Sequence, residues 1–152
     1  MRIEGCFVVA APKERVWRSI RDPAIVAPCI PGCQSVEVIS PTLYKAKIRV
    51  QVGPIKADFN VDVEIVSETA PQEIHSRTRG EEGSRASSLT ADNTLRLTFL
   101  SDNETQVFYA SEAAVVGRLG KFGLGVMKKK AESLGREFAT AFKQRLEQSA
   151  TE

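Results

Sequence analysis

Few side chains in this sequence have types and spacing that suit chemistry. The tightest group is "CIPGC", Cys29 to Cys33, where two thiols flank an Ile-Pro-Gly core. A structural zinc site wants four Cys or His ligands, commonly as two close pairs. The chain offers only Cys6, Cys29, Cys33 and the single His75, with no second pair, so no metal is expected. Three cysteines, an odd number, in what is expected to be a reducing compartment also argue against a disulfide framework. Pro31 fixes φ and Gly32 tolerates positive φ, so the stretch is expected to be a tight turn with thiols acting as small apolar side chains.

Catalysis would need a base, a nucleophile or a metal within reach of a substrate. Strand parity puts His75 on an outer face with Glu73, Arg77 and Arg79, which argues against a triad. The same parity makes Asp58, Asp62 and Glu64 solvated cross-strand partners and not an acid/base pair. Tyr109 could act as an acid, but its ordinary pKa of about 10 favours a hydrogen bond to a ligand oxygen. "GRLGKFGLG", residues 117–125, lacks both the Walker spacing and a strand-to-helix context, so its glycines suit a hinge better than a phosphate cradle.

The elements that must position these residues follow from periodicity. In "LYKAKIRVQVGPIKADFNVDVEIV", residues 43–66, apolar and charged residues alternate on both sides of Gly53-Pro54, as in two half-buried strands of a hairpin. A turn there sets Arg49 against Asp58 and Lys45 against Asp62 on the solvated face. Strands are further expected in 73–80, 87–100 and 105–116, with a charged loop at 80–86 and a turn at 101–104. Gly5, Phe7 and Val9 mark a first strand, "APKERVWRSI" a helix opened by Pro12, and "DPAIVAPC" a short second helix. Met127, Ala131, Leu134, Phe138, Phe142 and Leu146 form one stripe of a long helix over 126–148. The fold class is therefore α+β in one domain spanning 1–152, with element order β-α-α-β-β-β-β-β-β-α. About seven antiparallel strands form a curved sheet wrapped on a long C-terminal helix.

Such a wall and rod can enclose space, and the inward rows carry unusual residues for a packed core. Ser76 and Thr78 share one row, Leu89 to Phe99 at odd positions the next, and Val107, Tyr109, Ser111, Ala113 and Val115 the last. Two explanations stand. These polar groups satisfy one another and the backbone, or they line a cavity for an apolar ligand bearing a few polar atoms. The expected lining is Trp17, Phe59, Val61, Leu95, Tyr109, Leu124, Met127 and Ala131, with Ser76, Ser111 and Tyr109 as polar contacts. No catalytic residue and no cofactor are expected, and a cyclase or hydrolase using the cavity ranks last for want of an inward base.

A net charge of +2 is too small to draw nucleic acid by bulk attraction, so no nucleic-acid partner is expected. Charge is concentrated locally. Between Arg118 and Glu147 eight basic residues face three acids. Arg118, Lys121, Phe122, Lys128, Lys129 and Lys130 make an amphipathic segment suited to an anionic membrane surface or an acidic partner, against the plainer alternative of a solvated helix face. Residues 1–10 suit neither a signal peptide nor a span, so a cytoplasmic protein, peripheral at most on the inner membrane face, is expected.

Taken together, "AP", "VW" and "DP" within 11–23, "CIPGC" at 29–33, "VGPIKADF" at 52–59, and Tyr109 followed by "VVGRLGKFG" before the terminal helix resemble the CoxG-like family, named for a subunit of carbon monoxide dehydrogenase. The resemblance covers nearly the whole chain. It implies a START-like (SRPBCC) helix-grip fold around a hydrophobic cavity. It further implies an accessory role beside a molybdenum-containing dehydrogenase, either recruiting that enzyme to the membrane or handling a lipophilic electron acceptor such as quinone.

Overall fold

Alternation in residues 43–66 does build a hairpin, and its register is the expected one. In the computed structural model, which describes residues 1–83 and 85–149, β3 (Leu43–Val52) pairs with β4 (Ile55–Thr69) so that Arg49 opposes Asp58 and Lys45 opposes Asp62. Arg49 Nε lies 2.7 Å from Asp58 Oδ1 and Lys45 Nζ 3.9 Å from Asp62 Oδ1. Both pairs are solvent-exposed, so they guide register more than they stabilise. Ser84 of the expected 80–86 loop, and residues 150–152 of the expected domain, lie outside the described residues.

The remaining strands are β1 (Arg2–Val9), β2 (Cys33–Ser40), β5 (Glu73–Glu82), β6 (Ser87–Ser101) and β7 (Glu104–Gly117). They form one antiparallel sheet in the order β1-β7-β6-β5-β4-β3-β2, with β1 and β2 at its edges. Strand β5 runs on to Glu82, so the expected loop at 80–86 is shorter than the charges suggested. Phe99 is a second correction. Pairing of β6 with β7 shifts between Phe99 and Ser101, and Phe99 is 57% exposed instead of inward.

Between β1 and β2 the chain forms α1 (Lys13–Ile20), α2 (Pro23–Val26) and a 3-10 turn (Ala27–Cys29). Pro12 starts α1, where a missing N–H costs nothing, and Asp22 caps α2 by accepting from Ala24 N–H at 3.0 Å. "CIPGC" is the turn into β2. Gly32 has φ of 78°, and a Cβ there would collide with the Arg49 carbonyl oxygen, so the turn packs directly on β3. All three cysteines are free thiols.

The terminal helix α3 (Leu124–Ser149) crosses the sheet. Its stripe meets two separate apolar clusters, and this division shapes the interior. Toward its C-terminal end Phe142 and Leu146 pack with Val9, Ala11, Val16, Cys29, Leu97 and Val107. Phe142 is fully buried, stacked on Phe138 at 5.7 Å and edge-on to Phe7 at 6.4 Å. Toward its N-terminal end Met127 packs with Val52, Ala57, Phe59, Val61 and Leu119. No helix among the described residues is long and apolar enough to cross a membrane.

The glycine-rich run before α3 is pinned. It forms a 3-10 turn (Arg118–Phe122) between Gly117 and Gly123, both at positive φ. Arg118 Nε and Nη2 both donate to the buried Glu82 carboxylate, at 2.8 to 3.1 Å, and Nη2 also donates to the Lys56 carbonyl. The Arg118 bonds hold the Glu82 carboxyl below its usual range against the opposing effect of burial. Leu119, 1% exposed, drives its side chain into the second cluster.

Candidate ligand-binding cavity

Between the two filled clusters the sheet and the α1–α2 segment leave a hollow of about 300 Å³. Its roof is Ile20, Pro23, Val26, Ala27 and Ile30. One wall is the inner face of β2 and β3 with Cys33, Val36, Tyr44, Ala46 and Ile48, continued by Val63 and Ile65 of β4. The opposite wall comes from β5 to β7, with Ile74, Ser76, Asn93, Leu95, Tyr109 and Ser111. Such a size falls at the lower end of small-molecule pockets, and a mostly apolar lining with a few grouped polar atoms is what those pockets share.

The polar atoms form one connected cluster. Asn93, set by register between Ser76 on β5 and Ser111 on β7, donates through Nδ2 to Ser76 Oγ at 3.3 Å and Thr78 Oγ1 at 3.0 Å. Ser111 Oγ donates to Asn93 Oδ1 at 2.8 Å. These inward groups satisfy one another, and three of them, Ser76, Asn93 and Ser111, also face the hollow. Tyr109 passes over β1 toward α3. Its hydroxyl would lie 2.5 Å from a Cβ at Gly5 and 3.0 Å from one at Gly135, so two glycines make room for this ring. Burial pushes its phenol pKa up, keeping it protonated.

Arg21 closes one corner. It donates through Nε to Glu68 at 2.8 Å, through Nη1 to the Tyr44 hydroxyl at 2.8 Å and through Nη2 to the Pro41 carbonyl at 3.2 Å. Burial opposes its charge, yet Tyr44 and Glu68 hold its pKa above the ordinary value. Cys33 also lines the wall, and burial raises its thiol pKa against a weak bond to the Ser35 carbonyl, so it stays a neutral thiol. Among the described residues the lining contains no carboxylate and no imidazole. His75 sits on the outer face, paired with Glu73 at 3.3 Å and Thr94 at 3.2 Å.

The sequence-derived positions divide sharply. Ser76, Leu95, Tyr109 and Ser111 are brought together on one wall. Phe59, Val61 and Met127 are in the solid second cluster, because the α3 stripe and the Leu119 insertion fill that end. Trp17 packs on the first cluster, Ala131 lies outside the lining, and Leu124 is 75% exposed at the first turn of α3. The hollow is thus roofed by α1 and α2, not by the start of α3. Ala46, Ile48 and Cys33 could have been found from strand parity, whereas Ile20, Pro23, Val26 and Ile30 enter only because the short helices fold over the sheet. Of the basic segment, Lys121, Lys128 and Lys129 are exposed, Lys130 and Phe122 are half-buried, and Arg118 is paired with Glu82.

The family model for CoxG, a subunit of carbon monoxide dehydrogenase, matches residues 5–147. The chain belongs to this family. Among curated proteins none matches the sequence. Solved structures similar to this CoxG chain include a conserved protein from Geobacillus kaustophilus, 26% identical with a TM-score of 0.90 over 98% of this chain and 97% of that one. A START superfamily protein from Mycobacterium smegmatis is 13% identical, with a TM-score of 0.74 over 97% of each chain. The Zhui aromatase/cyclase from Streptomyces sp. R1128 is 17% identical, with a TM-score of 0.72 over 99% of this chain and 95% of that one. At such identities the last two show a common fold, and the CoxG chain has the START-like helix-grip architecture.

Proposed function

We propose that this CoxG protein binds an uncharged lipophilic small molecule, quinone or lipid-like, without catalysing a reaction on it. In this role it serves as an accessory to a molybdenum-containing carbon monoxide dehydrogenase-type enzyme, recruiting that enzyme to the membrane or delivering its electron acceptor. The observation that carries the proposal is the hollow itself: largely apolar walls left unfilled between two well-packed clusters, with the Ser76, Asn93 and Ser111 cluster at one side. Family membership supports the accessory role. A cyclase or hydrolase would need an inward group to take a proton, and the described lining offers neither carboxylate nor imidazole.

Trp17 gives the reporter, because it packs on the same cluster as the cavity-lining Ile20 and Leu95. Titrating delipidated protein with short-chain menaquinone or ubiquinone analogues should quench Trp17 emission saturably, with one ligand per chain. A flat titration, or quenching that rises without saturation, overturns the proposal.

Exposed apolar residues favour a second role for the start of α3. Leu124 at 75% and Val126 at 46% exposure stand beside the exposed Lys121, Lys128 and Lys129, a pairing suited to an anionic surface. Lys128→Glu with Lys129→Glu is expected to abolish co-sedimentation with phosphatidylglycerol vesicles, which should also fall as salt rises. Undiminished binding by the double variant would exclude this surface.

A further inference from the structure

The cavity is not evenly apolar. Its polar cluster belongs to β5, β6 and β7, whereas the wall formed by β2, β3 and β4 presents Val36, Ala46, Ile48, Val63 and Ile65. Tyr44 adds no free polar group there, since its hydroxyl accepts from Arg21 and donates to the Pro41 carbonyl at 3.0 Å. Three strand steps separate β5, which carries Ser76, from β2. At about 4.8 Å per step this is roughly 14 Å around the curved wall.

The apolar end also continues out of the hollow. On β2, Val36 opposes Ala46 and Val38 opposes Tyr44, so both valines lie on the inner face. Val36 lines the cavity at 37% exposure, and Val38, one step further, is 57% exposed. This edge strand has no neighbour on its outer side among the described residues. A row of exposed apolar side chains running out from an apolar cavity is a path for a chain too long to fit within.

Hydrogen accounting defines the other end. Both Asn93 amide hydrogens are used by Ser76 and Thr78, and the Ser111 hydrogen by Asn93. Ser76 accepts from Asn93 but donates to no described residue, leaving its O–H for a guest. Arg21, the one cation of the lining among the described residues, is neutralised by Glu68, so a carboxylate head gains no partner there. The absence of an acid from the described lining likewise disfavours an ammonium.

From this polarity, and resting on the binding function proposed above, we propose how the guest is oriented and which side chain recognises its polar end. The guest is an uncharged amphiphile whose acceptor oxygen, a carbonyl or ether, takes the Ser76 O–H. Its flexible apolar chain leaves across β4 and β3 and emerges over Val36 and Val38 at the β2 edge. Asn93 is a positioning residue, since its amide fixes where the Ser76 oxygen points.

Three probes test this by calorimetry: 2-methylnaphthalene, 2-methyl-1,4-naphthoquinone and its long-chain 3-alkyl derivative. Ser76→Ala should weaken both quinones about tenfold, the worth of one hydrogen bond, and leave the hydrocarbon unchanged. Ser76→Thr, which keeps the hydroxyl, should restore them. Val38→Asp, at an exposed site, should weaken the long-chain quinone about tenfold and leave the short one unchanged. Equal effects of Ser76→Ala on hydrocarbon and quinones, or of Val38→Asp on short and long quinones, would overturn the orientation while leaving cavity binding intact. Failure of the unaltered protein to bind any of the three would overturn cavity binding itself.

Discussion

Ala46→Trp is expected to abolish quinone-analogue binding, with at least a hundredfold loss of affinity, while the protein stays folded. Ala46 lies on the inner face of β3, opposed by Val36 and Val61, and contributes directly to the hollow. An indole added there enters space that is already empty instead of displacing packed atoms. The usual cost of an oversized core residue, about 1 to 3 kcal/mol, should therefore be largely absent. Filling a void should offset what strain remains. The measurement is the same ligand titration made by calorimetry, since the added indole confuses emission, with a urea unfolding curve beside it. Retained binding would mean that the ligand sits elsewhere on the protein.

Phe142→Ala is expected to act in the opposite way, with a large loss of stability and no direct change at the cavity wall. Phe142 is fully enclosed, touches Phe7 and Phe138 through its ring, and does not line the hollow. Truncating a buried phenylalanine costs about 3 to 5 kcal/mol. Domains of this kind have only about 5 to 15 kcal/mol in total, so the urea midpoint should drop by about a fifth or more. A change below about 1 kcal/mol would mean that α3 is not held at its C-terminal end by this cluster. The two variants together separate the residues that keep the frame from those that shape the space within it.

The frame is open to deduction from sequence because its signals are local. Period-two alternation fixes the β3–β4 register to the residue, and the Met127 to Leu146 stripe places α3 to within two residues at each end. The polar row Ser76, Asn93 and Ser111 follows from parity too, since each strand's two faces are fixed once one residue is placed. Which apolar residues fill the core and which surround a hollow does not follow. Phe59 and Ser76 are both inward by parity, but only the fold of α1 and α2 over the middle strands, and the insertion of Leu119 beneath α3, decides that one is packed and the other faces space. Arg118 escapes for a similar reason. Its partner Glu82 is remote in sequence, and no local pattern announces that a half-exposed arginine will neutralise a buried carboxylate.

The two-ended anchorage of α3 also bears on descent. A helix moored at Phe142 and at Met127 spans the interval between them as a beam spans its piers. No described residue of α3 lines the hollow, so its wall residues can change in size and polarity without removing either mooring. A lineage that keeps both piers is free to reshape the hollow by a few substitutions on the middle strands, so kinship in overall architecture does not oblige two relatives to share the same lining.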